Sequence, residues 1–156
     1  MNFKRHFDKP FQLYHLSEQD HTGEVFEPRS MEKWRVMDGE DWKSPRICVS
    51  DSIDGAVSAL VDSMSCSTGL KLFVHVPEDL DALFKSNKVH RPSTRQVPDA
   101  DATGEHWLKA PAKMKAIGQI EILGVDKGKE QWYVWEGQKT KMDRFKWKWI
   151  DNAMQS

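Results

Sequence analysis

Two hydrophobic periods follow one another in a single stretch of the chain, residues 45–60. Residues 47–49 (Ile-Cys-Val) form a short β-forming run after a proline and an arginine. Residues 50–52 (Ser-Asp-Ser) are polar, and Ser and Asp are good helix N-caps. Apolar residues then recur at i, i+3, i+4 and i+7, the spacing of one buried helix face: Ile53, Ala56, Val57 and Leu60. The stretch therefore predicts a strand that passes through a capped turn into a helix.

Elsewhere the pattern predicts mainly strands. Alternating or β-branched segments stand at residues 11–16, 70–77, 103–108, 114–124, 131–136 and 145–150. Helical spacing is short at 78–84 and weak at 31–37. Polar residues and prolines at 87–102 predict a surface excursion, of the kind that often lines sites, and 137–142 predicts a turn. The balance predicts an α+β fold, in one domain spanning 1–156 with a polar lead-in at 1–10.

Composition narrows the function classes. The chain has 156 residues and a net charge of −1, so no global field steers it toward nucleic acid or an anionic membrane. Cys48 and Cys66 do not have the spacing of a metal site. Free thiols in a cytoplasmic protein are the simplest expectation, and a single disulfide between the two cysteines is the alternative. No segment has the length or character of a signal peptide or a membrane span. We therefore expect a cytoplasmic protein without a metal or a membrane anchor.

Three polar features on separate elements are the candidates for chemistry. His15, after Tyr14, stands at the end of the first strand and can orient a ligand hydroxyl or be held by a backbone carbonyl. Ser50 and Ser52 lie at the junction of strand and helix, where backbone N–H groups can hold a polar ligand or simply cap the helix. Glu105 (Thr-Gly-Glu-His-Trp) is either a general base or a solvated acid at a strand edge.

In this order the three features resemble the motifs of the ADP-ribosyltransferase superfamily. Residues 13–17 (LYHLS) resemble its first motif, residues 47–60 (ICVSDSIDGAVSAL) the second, and residues 103–107 (TGEHW) the third. The chain departs from the family pattern at Thr103, where an acid or amide usually stands two residues before the glutamate. The resemblance implies a fold of split, mainly antiparallel sheets with two or three short helices.

The resemblance also implies a function. The protein would bind NAD as a substrate, or a related nucleotide, and would transfer ADP-ribose. His15 would hold the ribose, Ser50 would lie on the nicotinamide side, and Glu105 would polarise the acceptor or a ribose hydroxyl as the third catalytic residue. The supporting substrate-binding residues would be Tyr14, Arg29, Arg46, Ser52 and Trp107.

The chain as a whole resembles small uncharacterised proteins of phages and prophages. The shared features are Tyr14–Ser17, Pro28-Arg29, residues 46–53, Val97-Pro98, residues 103–107 and residues 117–120. This resemblance implies an accessory protein in the cytoplasm of a host cell. It leaves open a non-enzymatic role in which the protein binds and inhibits a host defence factor, with Trp34, Trp42 and Trp107 as anchors.

For two further groups of side chains the sequence leaves a ligand-binding and a structural interpretation open. Arg29 and Arg46 could hold a pyrophosphate, since a guanidinium suits phosphate, or could form ion pairs with nearby acids. The basic, aromatic segment from Arg144 to Trp149 could stack on single-stranded nucleic acid, or could be an edge strand that its lysines protect from pairing.

Overall fold

The computed structural model describes residues 12–37, 39–63 and 68–150. Residues 1–10, predicted as a lead-in, and Cys66 lie outside the described residues. Within them the strands are β1 (His15–Ser17), β2 (Val25–Phe26), β3 (Ile47–Ser50), β4 (Lys71–Pro77), β5 (Val89–His90), β6 (Glu105–Leu108), β7 (Ala112–Val125), β8 (Gln131–Trp135), β9 (Gln138–Met142) and β10 (Phe145–Trp149). The helices are α1 (Ile53–Ser63), α2 (Leu80–Lys85), α3 (Ala100–Thr103) and a 3-10 helix at Lys33–Arg35.

The strands form three antiparallel sheets. The largest has the order β1-β4-β7-β10, and β2 pairs with the N-terminal end of β7. A second sheet has the order β3-β6-β5, and β8 and β9 form a separate hairpin. The structure therefore confirms an α+β protein with mainly antiparallel strands and three short helices. The excursion predicted at 87–102 contains β5 and the start of α3, because Val89 and His90 pair with β6.

The strand–turn–helix unit is confirmed in its predicted place. The Ser52 hydroxyl accepts a hydrogen bond from the Gly55 N–H at 2.9 Å, which is the N-cap contact that the sequence predicts. Val57 and Ala56 are buried in a core with apolar residues of the large sheet. The helix therefore covers one face of that sheet.

The two larger sheets are joined by backbone hydrogen bonds between Tyr14 and Ser50. The Tyr14 N–H donates to the Ser50 carbonyl at 2.8 Å, and the Ser50 N–H donates to the Tyr14 carbonyl at 3.0 Å. On either side of this pair the chain enters different cores. Leu13 packs with residues of the three-stranded sheet, whereas Leu16 packs under α1. The first strand thus passes from one core to the other.

The turn predicted at 137–142 is wrong, because Gln138–Met142 is strand β9. Its sequence, Gln-Lys-Thr-Lys-Met, has few strong β-formers, and it is a strand because it pairs with β8 from Gln131↔Met142 to Trp135↔Gln138. The turn is confined to Glu136 and Gly137, which both have positive φ angles, 52° and 74°. That is the two-residue geometry that matches the twist of a hairpin.

Strand β10 is fixed by its aromatic side chains. Phe145 is buried, and the Trp147 indole N–H donates to Asp54 of α1 at 2.7 Å. Lys146 and Lys148 lie on the opposite, exposed face, as the alternation predicts. The Arg144 guanidinium donates to the Ala102 carbonyl at 2.6 Å and to the Ser58 hydroxyl at 3.1 Å. This one side chain therefore connects β10 to both α1 and α3.

Helices α1 and α3 approach each other so closely that only glycine fits between them. A Cβ on Gly55 would overlap with the backbone carbonyl of Thr103. Gly104 ends α3 in the left-handed region at φ 69°, and a Cβ there would overlap with the carboxylate of Asp51. The Asp51 N–H also donates to the Gly104 carbonyl at 3.0 Å. This contact fixes the ends of β3 and β6 relative to each other.

We expect Gly55→Ala to lower the free energy of unfolding by roughly 2–3 kcal/mol, because a backbone carbonyl cannot move aside for the added methyl group. In an unpacked helix the same change would stabilise by about 1 kcal/mol. Urea denaturation measures the effect. The matched control is Gly128→Ala. The added Cβ there meets nothing within 4 Å, so the only cost is that of placing alanine in a left-handed backbone conformation, about 1 kcal/mol. A Gly55→Ala protein as stable as the control would contradict the contact.

Candidate functional site

A cleft with a volume of about 600 Å³ opens where the two larger sheets separate. Tyr14 and His15 line it from β1 and the residue before it, and Cys48 and Ser50 line it from β3. Glu105 of β6 lies on the same wall. The three residues predicted as catalytic, which are far apart in the sequence, are thus brought to one cavity. A concave site with convergent polar groups is the usual form of a ligand site.

The register of β3 and β6 places Ser50 and Glu105 side by side. The two residues are direct cross-strand partners, as are Cys48 and Trp107 two residues along. Residues two apart on a strand share a face, so all four side chains belong to one face of the sheet. Ser50 and Glu105 come last and first in their strands. They therefore stand at the end of the sheet that borders the cleft.

Glu105 is a carboxyl group held in a largely buried position. Its Oε2 accepts a hydrogen bond from the Trp107 indole N–H at 2.6 Å and lies 4.0 Å from the Cys48 sulfur. Burial raises its pKa to about 7, although the Trp107 hydrogen bond favours the ionised form. The negative charges of Glu40 and Asp99 raise this pKa further. A carboxyl group with this pKa can exchange protons near neutral pH.

His15 is held as a neutral imidazole. Desolvation lowers its pKa to about 4, against the opposing effect of the Cys48 carbonyl oxygen, which lies 3.5 Å from Nδ1. His75, at 6.2 Å between ring centroids, lowers the pKa further, and Phe26 packs edge-on at 5.0 Å. With Nδ1 facing the carbonyl, Nε2 is the nitrogen that can accept a hydrogen bond from a ligand hydroxyl.

Two more carboxylates line the cleft, Glu40 and Asp99. Burial raises the pKa of Glu40, although its Oε2 accepts a hydrogen bond from the Arg46 guanidinium at 3.1 Å. None of the side chains described around the cleft is a lysine or an arginine. Its electrostatic character is therefore acidic, which favours a neutral or cationic group over an anion.

Aromatic side chains form another part of the wall, beside aliphatic ones such as Val49 and Leu60. Trp34 comes from the 3-10 helix and is 75% exposed, while Tyr133 and Trp135 come from one face of the β8–β9 hairpin. Flat aromatic surfaces of this kind stack on planar rings and on sugars. The cleft thus combines carboxylates with aromatic rings.

Four of the proposed substrate-binding residues do not line the cleft. Arg29 is exposed, and its backbone pairs with that of Arg46. Arg46 is buried between Glu40 and the Trp107 ring, with its guanidinium carbon 4.3 Å from the ring centroid. Ser52 caps α1, and Trp107 is fully buried beneath Glu105. Arg46 and Trp107 therefore act on the cleft through Glu40 and Glu105, and Tyr14 alone of this group borders it directly.

Several lining residues were not among those that the sequence singles out for chemistry. They are Glu40, Cys48, Asp99, Tyr133 and Trp135. Asp99 lies in the segment at 87–102 whose length and prolines already suggested a site border. Glu40 gives no local signal, because its role depends on a contact with Arg46 that only the fold creates.

For the C-terminal strand the sequence allows either stacking on single-stranded nucleic acid or an edge strand that its lysines protect, and the contacts of its side chains bear on both. Arg144 and Trp147 donate to backbone or side-chain groups of the protein, and Trp149 packs over Gly118. Lys146 and Lys148 are the exposed cations of this strand.

In the part of the chain that the structure describes, no group of three or more His, Cys, Asp or Glu side chains is placed to hold a metal ion. None of the helices described has the length and apolar character needed to cross a membrane.

Comparison of the chain with protein-family models, with curated proteins and with solved structures gives no match.

We expect Trp107→Phe to raise the pKa of Glu105 further above about 7, because the indole N–H donor that favours the carboxylate is lost. Titration of the side-chain carboxyl carbon by NMR measures this pKa, and the spectrum of Glu105→Gln identifies the signal. Trp132→Phe is the matched control, since Trp132 is exposed on the β8–β9 hairpin and makes no hydrogen bond to Glu105. A pKa that stays the same or falls in Trp107→Phe would show that the hydrogen bond does not hold the carboxylate.

The raised pKa of Glu105 also predicts a pH-dependent stability. The folded state binds the Glu105 proton more tightly than the unfolded state, in which the pKa of this carboxyl is near 4.5. The free energy of unfolding therefore falls as the pH rises from 4.5 to about 7. Glu105→Gln removes this effect. Relative to the wild type, the variant should therefore gain up to about 3 kcal/mol between pH 5 and pH 8 in urea denaturation. The histidines are present in both proteins and cancel in the difference. A difference that does not change with pH would contradict the assigned pKa.

Proposed function

We propose that the cleft binds the nicotinamide riboside part of NAD or a related nucleotide, and that it supports transfer of the ribosyl group to an acceptor, as an ADP-ribosyltransferase does. The observation that carries this proposal is the convergence of His15, Ser50 and Glu105 on one cavity. These are the residues that motif order alone selects, and they come from three different segments. The fold, with two antiparallel sheets that separate at the cleft, is compatible with the architecture that the resemblance implies.

The charge of the cleft fits the first step of this chemistry. The bond between C1′ of the ribose and the nicotinamide nitrogen breaks, and its electron pair cancels the positive charge of the ring. The sugar passes through an oxocarbenium-like state, which nearby carboxylates stabilise. Glu105 and Asp99 supply that negative field, while the charge of Glu40 is compensated by Arg46, and the aromatic wall can stack on the cationic ring.

The acceptor completes the reaction. Its oxygen forms the new bond to C1′, and the proton that it loses passes to the Glu105 carboxylate, which later returns it to solvent. A pKa of about 7 suits this role, because the base must be ionised in a large fraction of molecules and still be able to take a proton. His15 accepts a hydrogen bond from a ribose hydroxyl through Nε2, and Ser50 lies beside the ring.

A second candidate function is the binding and inhibition of a host factor by an accessory protein of a phage. It is favoured by the outer face of the β8–β9 hairpin, where Trp132 is 52% exposed and Val134 66% exposed. Two of the tryptophans expected as anchors do not serve it, since Trp107 is fully buried and Trp42 is half-buried. Trp34 is exposed but lines the cleft, so the positions of the tryptophans favour the nucleotide site.

Calorimetry with nicotinamide riboside and with NAD, together with an assay of nicotinamide release, tests the proposal. We expect the wild type to bind both compounds. It should release nicotinamide from them at a rate that rises as the pH increases through about 7. Glu105→Gln should bind within about threefold of the wild type but lose at least about 100-fold in release. His15→Asn should bind about tenfold more weakly, because it keeps a donor for the Cys48 carbonyl but loses Nε2.

Glu18→Gln is the matched control, since Glu18 is exposed and is not among the residues that line the cleft, and it should behave as the wild type. Circular dichroism establishes that each variant is folded. Folded wild-type protein that binds neither compound would reject the proposal and favour the host-factor alternative. Full release activity in Glu105→Gln would reject the role of Glu105.

A further inference from the structure

A second pocket, with a volume of about 410 Å³, adjoins the cleft. The two cavities share three lining residues, Val36, Met37 and Glu40. The Asp41 N–H donates to the Gln96 carbonyl at 2.6 Å, and this hydrogen bond joins the two chain segments that enclose the pocket. The two cavities are therefore direct neighbours, close enough for two parts of one ligand.

The second pocket differs from the cleft in its charge. Three cations line it, Lys33, Lys43 and Arg95, and all three are exposed. Within the described residues neither Lys33 nor Arg95 takes part in an ion pair. Their charges are thus directed at solvent or at a ligand.

The two acids of the pocket are already engaged by the protein. Glu40 pairs with the Arg46 guanidinium at 3.1 Å. Asp41 accepts a hydrogen bond from the Ser44 hydroxyl at 2.6 Å and from the Lys43 N–H at 2.9 Å. The carboxylates therefore shape the turn. The Lys43 ammonium lies over the Trp42 ring, 5.4 Å from its centroid, and Lys33 and Arg95 remain available to an anion. Trp42, half-buried in the same pocket, adds an aromatic surface.

From this juxtaposition we infer that the second pocket is an anion subsite that takes the phosphate of a ligand whose riboside lies in the cleft. The ligand class is a phosphorylated nucleoside with a neutral or cationic base, because one cavity is acidic and aromatic and its neighbour is basic. The identity of the riboside half rests on the proposed function. The anion subsite rests on Lys33, Lys43 and Arg95 alone. Lysine and arginine are the side chains that bind phosphate.

Calorimetry on the full chain with three probes tests the inference: nicotinamide riboside, nicotinamide mononucleotide and inorganic pyrophosphate. We expect the mononucleotide to bind at least about tenfold more tightly than the riboside, as one charge-assisted contact allows. In the double variant Lys33→Ala/Arg95→Ala this advantage should fall below about threefold, and the affinity for the riboside should not change. Added salt should reduce the advantage in the wild type.

The matched control is Lys127→Ala/Lys129→Ala, which removes the same net charge from two exposed lysines that do not line the pocket. It should keep the phosphate advantage. If the advantage is missing in the wild type, or persists in Lys33→Ala/Arg95→Ala, the anion subsite is rejected while binding of the riboside still supports the proposed function. If pyrophosphate binds in a Lys33- and Arg95-dependent way but the riboside does not bind, the subsite stands and the proposed function fails. If none of the probes binds, both fail.

Discussion

The backbone pairing of Tyr14 with Ser50 is the constraint on which the rest of the structure depends. Two hydrogen bonds, at 2.8 and 3.0 Å, tie the start of β1 to the end of β3, and so tie the large sheet to the small one. Beyond this pair the sheets separate, because β1 pairs with β4 and β3 pairs with β6. The side chains next to the junction therefore face a gap rather than a neighbouring strand. The cleft exists because two sheets that share one pair of residues cannot both continue in the same plane.

The low polarity at this junction shifts the protonation of its side chains in opposite senses. Burial disfavours charge, so it raises the pKa of Glu105 and lowers that of His15. At neutral pH the His15 imidazole is therefore uncharged, and the Glu105 carboxyl is ionised in about half of the molecules. The charge of Arg46 is placed below them, between Glu40 and the Trp107 ring. The cleft is therefore acidic in its residue types but only partly charged, a condition that allows proton transfer without large reorganisation.

Local signals account for the parts of the fold that the sequence predicts well. The capped helix from Ile53 was predictable because its cap and its buried face lie within one short stretch. Strand β9 was not, because only pairing with β8 makes a strand of Gln-Lys-Thr-Lys-Met, and that pairing is a property of the hairpin. A positive φ at Glu136 has no sequence signal comparable to that of Gly137.

The candidate site likewise contains residues that sequence motifs predict and residues that only the fold brings together. His15, Ser50 and Glu105 were found from motif order, and the structure brings them together. The sequence allows Arg46 to bind a phosphate or to pair with an acid, and only the fold shows that it pairs with Glu40 and packs on the Trp107 ring. The basic pocket was missed for a related reason, since its three cations come from segments that are separated by up to about sixty residues and meet only through tertiary contacts.

Cys48 determines how the thiol on this wall of the cleft reacts with electrophiles and oxidants. Cys48 is half-buried with its sulfur beside Glu105, and desolvation together with the Glu105 charge raises the pKa of the thiol to about 12. The thiolate, which is the nucleophilic form, is therefore almost absent at neutral pH. The sulfur packs as a small apolar group and is a poor target for electrophiles and oxidants. As long as β3 stays folded against β6, Cys48 therefore contributes packing rather than thiol chemistry to this wall of the cleft.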